Sequence, residues 1–185
     1  MSKKVLVPLA SGFEEIEAVS IIDVLRRAGI EVVVSAVGEE LTVRGANGIV
    51  VKADCNINSV DVESLDMVVL PGGWGGTDIL AENETVQDIL KTMNKKEKLV
   101  GAICAAPYAL NKAGVLSQNF TCYPSVEEKI RLEGYSDKDA VVKQGNIMTS
   151  RGPGTAICFG LSIVRELAGE ETCNALKAGL LADFC

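Results

Sequence analysis

Cys104 stands at the seam between two sequence patterns. The run from Leu99 to Ile103 is continuously apolar, as a buried strand is, and from Ala105 small helix formers take over as far as Gly114. A thiol at a strand-to-helix turn projects over the edge of a sheet, as in a nucleophile elbow with Cys in place of Ser. The N–H groups that open the next helix are unpaired and partly positive, which favours thiolate and predicts a lowered pKa for Cys104. Pro107 suits a first helical turn, where its missing N–H is not needed. The chemistry on offer is attack by sulfur on an electrophile. A packed, inert thiol fits the same local residues.

A sulfur nucleophile needs a partner for its proton, and the chain has no histidine. That excludes a Ser-His-Asp triad, a Cys-His dyad and His-ligated metals. Glu17 lies among Ile16, Ala18 and Val19. If that face packs inward, burial favours the neutral carboxyl, which can donate a hydrogen bond to a thiolate and later move protons. A solvated Glu17 is the alternative. Glu14 and Glu15 read as first-turn charges suited to the helix dipole. The turn "PGGWGG" (71–76) has neither the spacing nor the lysine of a phosphate loop. Gly72 and Gly73 are better used as backbone oxyanion donors facing Cys104.

The elements that must position these residues alternate along the chain. Strands are predicted over 4–10, 31–37, 65–73 and 99–104, with a hairpin over 40–54 turning near Asn47-Gly48. Helices are predicted over 14–29, about 76–81, 83–95, from Ala105, from near Pro124, after Arg151 and near 170–182. A short strand over 120–123 and a hairpin-like pair over 140–150 complete the pattern. Buried strands alternating with helices imply parallel pairing and a doubly wound α/β sandwich, here one domain over 1–185. In such sheets the site lies beyond the carboxyl ends of the strands. Those ends read "ASGFEE", "PGGWGG", "CAAP" and "SRGPGT".

Composition narrows the function classes. The 185 residues are 48% hydrophobic and 23% charged, with a net charge of -7. An acidic chain without a basic patch repels nucleic acid and anionic lipid, so neither is an expected partner. Lys95, Lys96 and Lys98 read as a helix end. No segment is long enough to span a bilayer, and Pro8 with Glu14, Glu15 and Glu17 spoils a signal-peptide reading, so the cytoplasm is the expected location. The six cysteines show no metal-ligand spacing and are expected to be free thiols, most of them buried.

The segments "GAICAAP" around Cys104, "LPGG" (70–73), "EEIEAV" (14–19), "DVLRRAGI" (23–30) and "TSRGPGT" (149–155) resemble the DJ-one (ThiJ/PfpI) family. The resemblance is closest to its parkinsonism-associated branch and runs over essentially the whole chain. It implies a flavodoxin-like sandwich, mostly parallel with a small β-hairpin, and a homodimer formed through the first long helix. It implies that Cys104 is reactive and easily oxidised, that Glu17 hydrogen-bonds its sulfur, and that Gly73 and Ala105 supply backbone donors. Arg151 matches an arginine of the neighbouring pocket, whose other candidate residues are Glu14, Asn47 and Pro153. Tyr123 stands in "TCYPS" where many members have histidine, and Asn47 where relatives often have arginine. Tyrosine is a poor base at neutral pH, so a peptidase mechanism lacks its base and Glu17 must carry most proton transfer, with Tyr123 in a secondary role.

The activity implied by the resemblance is removal of reactive dicarbonyls such as methylglyoxal or glyoxal, free or as early protein adducts. The products are 2-hydroxy acids, and no glutathione, metal or nucleotide cofactor is called for. The same residues also suit an oxidative-stress sensor or redox-regulated chaperone acting through a Cys104 sulfinate.

Overall fold

Apolar alternation on both faces of the strands buries the central sheet between two helical layers. The computed structural model describes residues 3–185. The chain runs β1 (Lys4–Leu9), α1 (Glu15–Arg27), β2 (Glu31–Ala36), β3 (Thr42–Arg44), β4 (Val50–Lys52), β5 (Cys55–Asn56) and β6 (Met67–Leu70). It continues α2 (Trp74–Glu82), α3 (Glu84–Lys95), β7 (Leu99–Ile103), α4 (Pro107–Lys112) and α5 (Glu127–Ile130). It ends β8 (Val141–Gln144), β9 (Ile147–Ser150), α6 (Ala156–Ala168) and α7 (Glu170–Gly179).

Seven strands form one sheet in the order β5-β2-β1-β6-β7-β9-β8, and β3 pairs with β4 as a separate hairpin. Every pair in the large sheet is parallel except β8 with β9. The expected doubly wound, mostly parallel sandwich with a small hairpin is therefore what the chain adopts. Val5, Val7 and Leu9 of β1 face α1 and α6 on one side. Leu6 faces the layer built from α2, α3 and α4 on the other. Gly160 on α6 lets α1 come close, since a Cβ there would stand 2.9 Å from a methyl of Val24. No helix among the described residues is long and apolar enough to cross a membrane.

Chain direction reverses its winding between β1 and β6, and the carboxyl ends of these neighbours open the crevice where doubly wound sheets bind ligands. The loop after β1 leads into α1 and the loop after β6 is the glycine turn. The loop after β7, the next strand, carries Cys104.

Several sequence expectations are corrected. The segment 120–123 is not a strand: it makes a single bridge, Phe120 to Tyr135. The strand β7 already has β6 and β9 on its two sides, so no ladder position is open. The segment is held instead by Thr121 N–H on Thr149 Oγ1 (2.9 Å) and Tyr123 N–H on the Cys104 carbonyl (2.9 Å). The helix expected near Pro124 begins only at Glu127, past Ser125 at φ 79°, and ends after four residues where the backbone of Arg131 is extended. The last helix stops at Gly179.

The expectation of six free thiols also fails. Cys158 of α6 and Cys185 are joined in a disulfide with their Cα atoms 5.1 Å apart, while Cys55, Cys104, Cys122 and Cys173 are free. The two partners are 27 residues apart and meet only because α7 folds back along α6.

Candidate active site

Cys104 adopts φ 66°, a left-handed conformation that costs a non-glycine residue about 1–3 kcal/mol. Two backbone hydrogen bonds hold it there. Its N–H donates to Ser150 O at the end of β9 (3.0 Å), and its carbonyl accepts the Tyr123 N–H. The chain thus turns sharply out of β7 and lifts the side chain over the sheet edge, with the residue 9% exposed. The strand-to-helix seam seen in the sequence is this elbow.

Glu17 reaches the same place from α1. The N-cap of that helix is Glu14, whose carboxylate accepts the Glu17 N–H at 2.8 Å. The Glu14 N–H in turn donates to Gly72 O at 2.9 Å, which ties the start of α1 to the glycine turn after β6. Glu17 is wholly buried. Its Oε2 accepts the Gly72 N–H at 2.8 Å. Its Oε1 is buried without a well-formed partner, and the Cys104 thiol is the side chain that interacts with this carboxyl. The inward-facing reading of Glu17 is the one the fold adopts.

Glycine is required at both positions of the turn. A Cβ at Gly72 would lie 2.6 Å from the Cys104 Cβ and 2.7 Å from Glu17 Oε2. Gly73 has φ +88°, and a Cβ there would lie 2.4 Å from Gly12 O. The two glycines do different work, which corrects the pairing of both as oxyanion donors. The N–H of Gly72 is committed to Glu17, whereas those of Gly73 and Ala105 face the Cys104 sulfur.

Burial pushes the Glu17 carboxyl up to about 7, against the hydrogen bonds from Cys104 and Gly72 that favour its charged form; the nearby Glu14 charge adds to the rise. Burial also pushes the Cys104 thiol up, and the facing Glu17 carboxylate raises it further. The Gly73 and Ala105 N–H groups oppose the rise. The expected lowering is thus corrected. The helix after the elbow, α4, has only six residues, and its terminus is outweighed by desolvation and a neighbouring acid. A thiolate here comes with its proton on Glu17, so the pair carries one negative charge between two atoms that cannot both be ionised cheaply.

The remaining candidates fall into three groups. Glu14 is the cap just described. Glu15, read from the sequence as a first-turn charge, is 4% exposed. It grips the β3–β4 turn through Asn47 N–H (2.6 Å), Asn47 Nδ2 (3.0 Å) and Ile49 N–H (3.3 Å). Burial works to raise its pKa, but the Asn47 and Ile49 donors prevail and hold it below the usual value. Asn47 is therefore occupied by Glu15. Tyr123, Arg151 and Pro153 line a cleft of about 220 Å³ together with Pro124, Gly152 and Thr155. The Tyr123 ring packs over Gly152 and the residue is 49% exposed.

Sequence reasoning missed a second cysteine–acid pair behind the elbow. Cys122 is wholly buried and donates to Glu127 Oε2 at 3.8 Å. Burial, joined by the Glu127 charge, pushes it up to about 12. The same reading gave Trp74 no role. Its ring packs edge-on against Tyr108 at 5.8 Å, with Lys129 Nζ 4.3 Å from its centroid, and so pins α5 to the residue next to Gly73. Among the described residues no group of three or more His, Cys, Asp or Glu side chains could hold a metal.

The chain has relatives among known proteins in both sequence and fold. The chain is 42% identical over 186 residues to protein dj-1beta of Drosophila melanogaster, across the whole of both. The crystal structure of that fly protein superposes with TM-score 0.94 at 43% identity, covering 98% of each chain. A Toxoplasma gondii DJ-1 structure described as oxidized matches with TM-score 0.93 at 39% identity, over 97% of this chain and 98% of that one. A Caenorhabditis elegans protein named glutathione-independent glyoxalase DJR-1.2 is 38% identical over 88% of this chain and 87% of its own. The model of the DJ-1/PfpI family matches residues 3–166, the stretch that holds Glu17, the glycine turn, the cysteine elbow and the Arg151 loop. By fold and by sequence along nearly its full length, the chain belongs to the DJ-1/PfpI family.

Proposed function

We propose that this chain is a glutathione-independent glyoxalase that converts methylglyoxal or glyoxal, free or as early protein adducts, into 2-hydroxy acids. The observation that carries the proposal is the buried Glu17 carboxyl facing the Cys104 thiol, with a pKa of about 7 that lets it take and return protons near neutral pH. The name of the Caenorhabditis elegans relative supports the same reading.

The thiol proton passes to Glu17 as sulfur bonds to the aldehyde carbon. The oxygen that takes up the negative charge is met by the N–H groups of Gly73 and Ala105 and is then protonated to the hemithioacetal. Glu17 moves the proton of that carbon to the adjacent carbonyl carbon, which becomes the carbinol of a thioester. Water then cleaves the thioester, releasing the 2-hydroxy acid and restoring the thiol. Tyr123, on the cleft wall, serves as a hydrogen-bonding group toward substrate and does not act as the base.

The test is proton NMR of methylglyoxal with the purified chain in the absence of glutathione. Many equivalents of lactate from the wild type, and none from Cys104→Ser, are expected. Consumption of about one equivalent without lactate would overturn the proposal.

A second reading is favoured by the partnerless Glu17 Oε1 and by the related Toxoplasma protein described as oxidized. Cys104 then serves as a peroxide sensor, its sulfinate held by a protonated Glu17. Mild peroxide is expected to add two oxygens at Cys104 and none at Cys55 or Cys122. We also propose a homodimer through α1, whose exposed side carries the apolar Ile16 and Val19, 57% and 48% exposed.

A further inference from the structure

The disulfide between Cys158 and Cys185 lies on the far side of β9 from the glycine turn, and nothing in the proposed chemistry uses it. It closes a cavity of about 220 Å³ between α6, α7 and the start of β8, lined among others by Ala140, Cys173 and Phe184. The segment 180–185 that it pins is otherwise held by backbone bonds to the end of α7, Leu181 N–H on Ala178 O and Ala182 N–H on Lys177 O, both at 3.1 Å. Ala182 is its single buried residue, while Leu181 and Phe184 are 81% and 68% exposed. Cys185 is exposed and Cys158 half-buried, so an external thiol can reach the bond. Cys173 shares the cavity but is buried, with its thiol on Leu161 O at 3.2 Å.

One wall of this cavity leads directly to the reactive cysteine. The Ala140 carbonyl accepts the Ser150 hydroxyl at 2.7 Å, and that hydroxyl also meets Thr155 Oγ1 at 2.8 Å. The carbonyl of the same Ser150 accepts the Cys104 N–H at 3.0 Å, one of the two backbone bonds that hold the elbow. Val141 pairs with Ser150 in the β8–β9 ladder. Two hydrogen bonds through one residue thus separate the wall behind the disulfide from the strained φ of Cys104.

We infer that Cys158–Cys185 is a second redox site, a latch opened by small-molecule or protein dithiols, and that its opening changes the reactivity of Cys104. A thiolate of the dithiol attacks the exposed Cys185 sulfur, the disulfide breaks, and Cys158 leaves as a thiolate that takes up a proton. The second thiol of the reductant then displaces Cys185, so the reductant is oxidised to its disulfide by the two electrons that the latch gains. The chain end at Cys185 is released from α6, the Asp139–Val141 wall loses its cover, and the Ser150 brace on the elbow loosens. Cys104, 9% exposed in the latched form, becomes easier to reach.

The experiment reads Cys104 directly and so stands apart from whether it turns over dicarbonyls. The full chain, checked by mass to be unmodified at Cys104, is compared before and after treatment with dithiothreitol, which is removed before anaerobic labelling with iodoacetamide. Peptide mass spectrometry is expected to show 158 and 185 linked before treatment and separately alkylated after it. The labelling rate at Cys104 should rise about threefold or more on opening. Cys185→Ser should label at the fast rate without reductant and show no response to it. Wild type in its two redox states makes the comparison even if a variant folds poorly. An unchanged Cys104 rate across a verified opening, or a bond that resists dithiothreitol until circular dichroism shows unfolding, would overturn the inference.

Discussion

Glu17 and Gly72, 55 residues apart, are joined by a 2.8 Å hydrogen bond from the Gly72 N–H to Glu17 Oε2. That bond joins the helix after β1 to the turn after β6 across the crevice where the sheet reverses its winding. It also aims the carboxyl: with one oxygen held by backbone, the group is left facing the Cys104 thiol.

The raised Glu17 pKa makes stability depend on pH. The folded value is about 7 against 4.5 for the free group, so the folded state binds the proton more tightly. The stabilisation is complete below about pH 4.5, falls as pH rises, and is gone above about pH 7, a change on the order of 3 kcal/mol. Urea denaturation at pH 5 and pH 8 should show this loss in the wild type and most of it absent in Glu17→Gln.

Replacing that carboxyl should separate binding of the electrophile from turnover. In Glu17→Gln the amide keeps the shape and can still accept the Gly72 N–H, but it cannot accept a proton. Turnover is expected to fall by a factor of about 10²–10⁴, while iodoacetamide still labels Cys104 stoichiometrically. Equal loss of both would mean that Glu17 acts by holding the elbow in place.

A single methyl at Gly72 should damage the site and the fold together. Its Cβ would press on the Cys104 Cβ, Glu17 Oε2 and Ile103 O, all within 2.9 Å. Gly72→Ala is expected to cost about 1–3 kcal/mol and to lower the thermal midpoint by several degrees. Labelling of Cys104 should slow in the same variant.

Glu15 should prove structural and not catalytic. Glu15→Ala leaves the Asn47 and Ile49 N–H groups without their acceptor, at a cost of about 1–3 kcal/mol. Hydrogen exchange should quicken at residues 45–49 while Cys104 labelling stays within about twofold of wild type.

The proposed dimer has its own test. Ile16→Glu with Val19→Glu places charge on the exposed stripe of α1. Light scattering should then report a monomer where the wild type reports a dimer, and a monomeric wild type would overturn the assignment.

Local pattern was enough to read much of this protein. Continuous apolar runs broken by helical periodicity led to the doubly wound sheet, because a strand buried on both faces has no freedom to be anything else. Cys104 was legible because a seam between strand and helix is a property of neighbouring residues. Gly73 was legible for the same reason, as a turn glycine ending a buried strand. What the tertiary structure decided concerns groups that meet from distant parts of the chain. The apolar neighbours of Glu17 marked it as a candidate for burial and left Glu15 a first-turn charge, yet both are buried, and only the docking of the β3–β4 turn and of Gly72 makes one clamp a hairpin and the other face a thiol. The direction of the Cys104 shift depends on how much water the fold removes and on an acid 87 residues away, so the helix terminus alone pointed the wrong way. The segment 120–123 had strand-like residues but lies beside β7 and β9, each already paired on both sides. Cys158 and Cys185 became a pair only when α7 turned back on α6, a proximity that no spacing along the chain encodes.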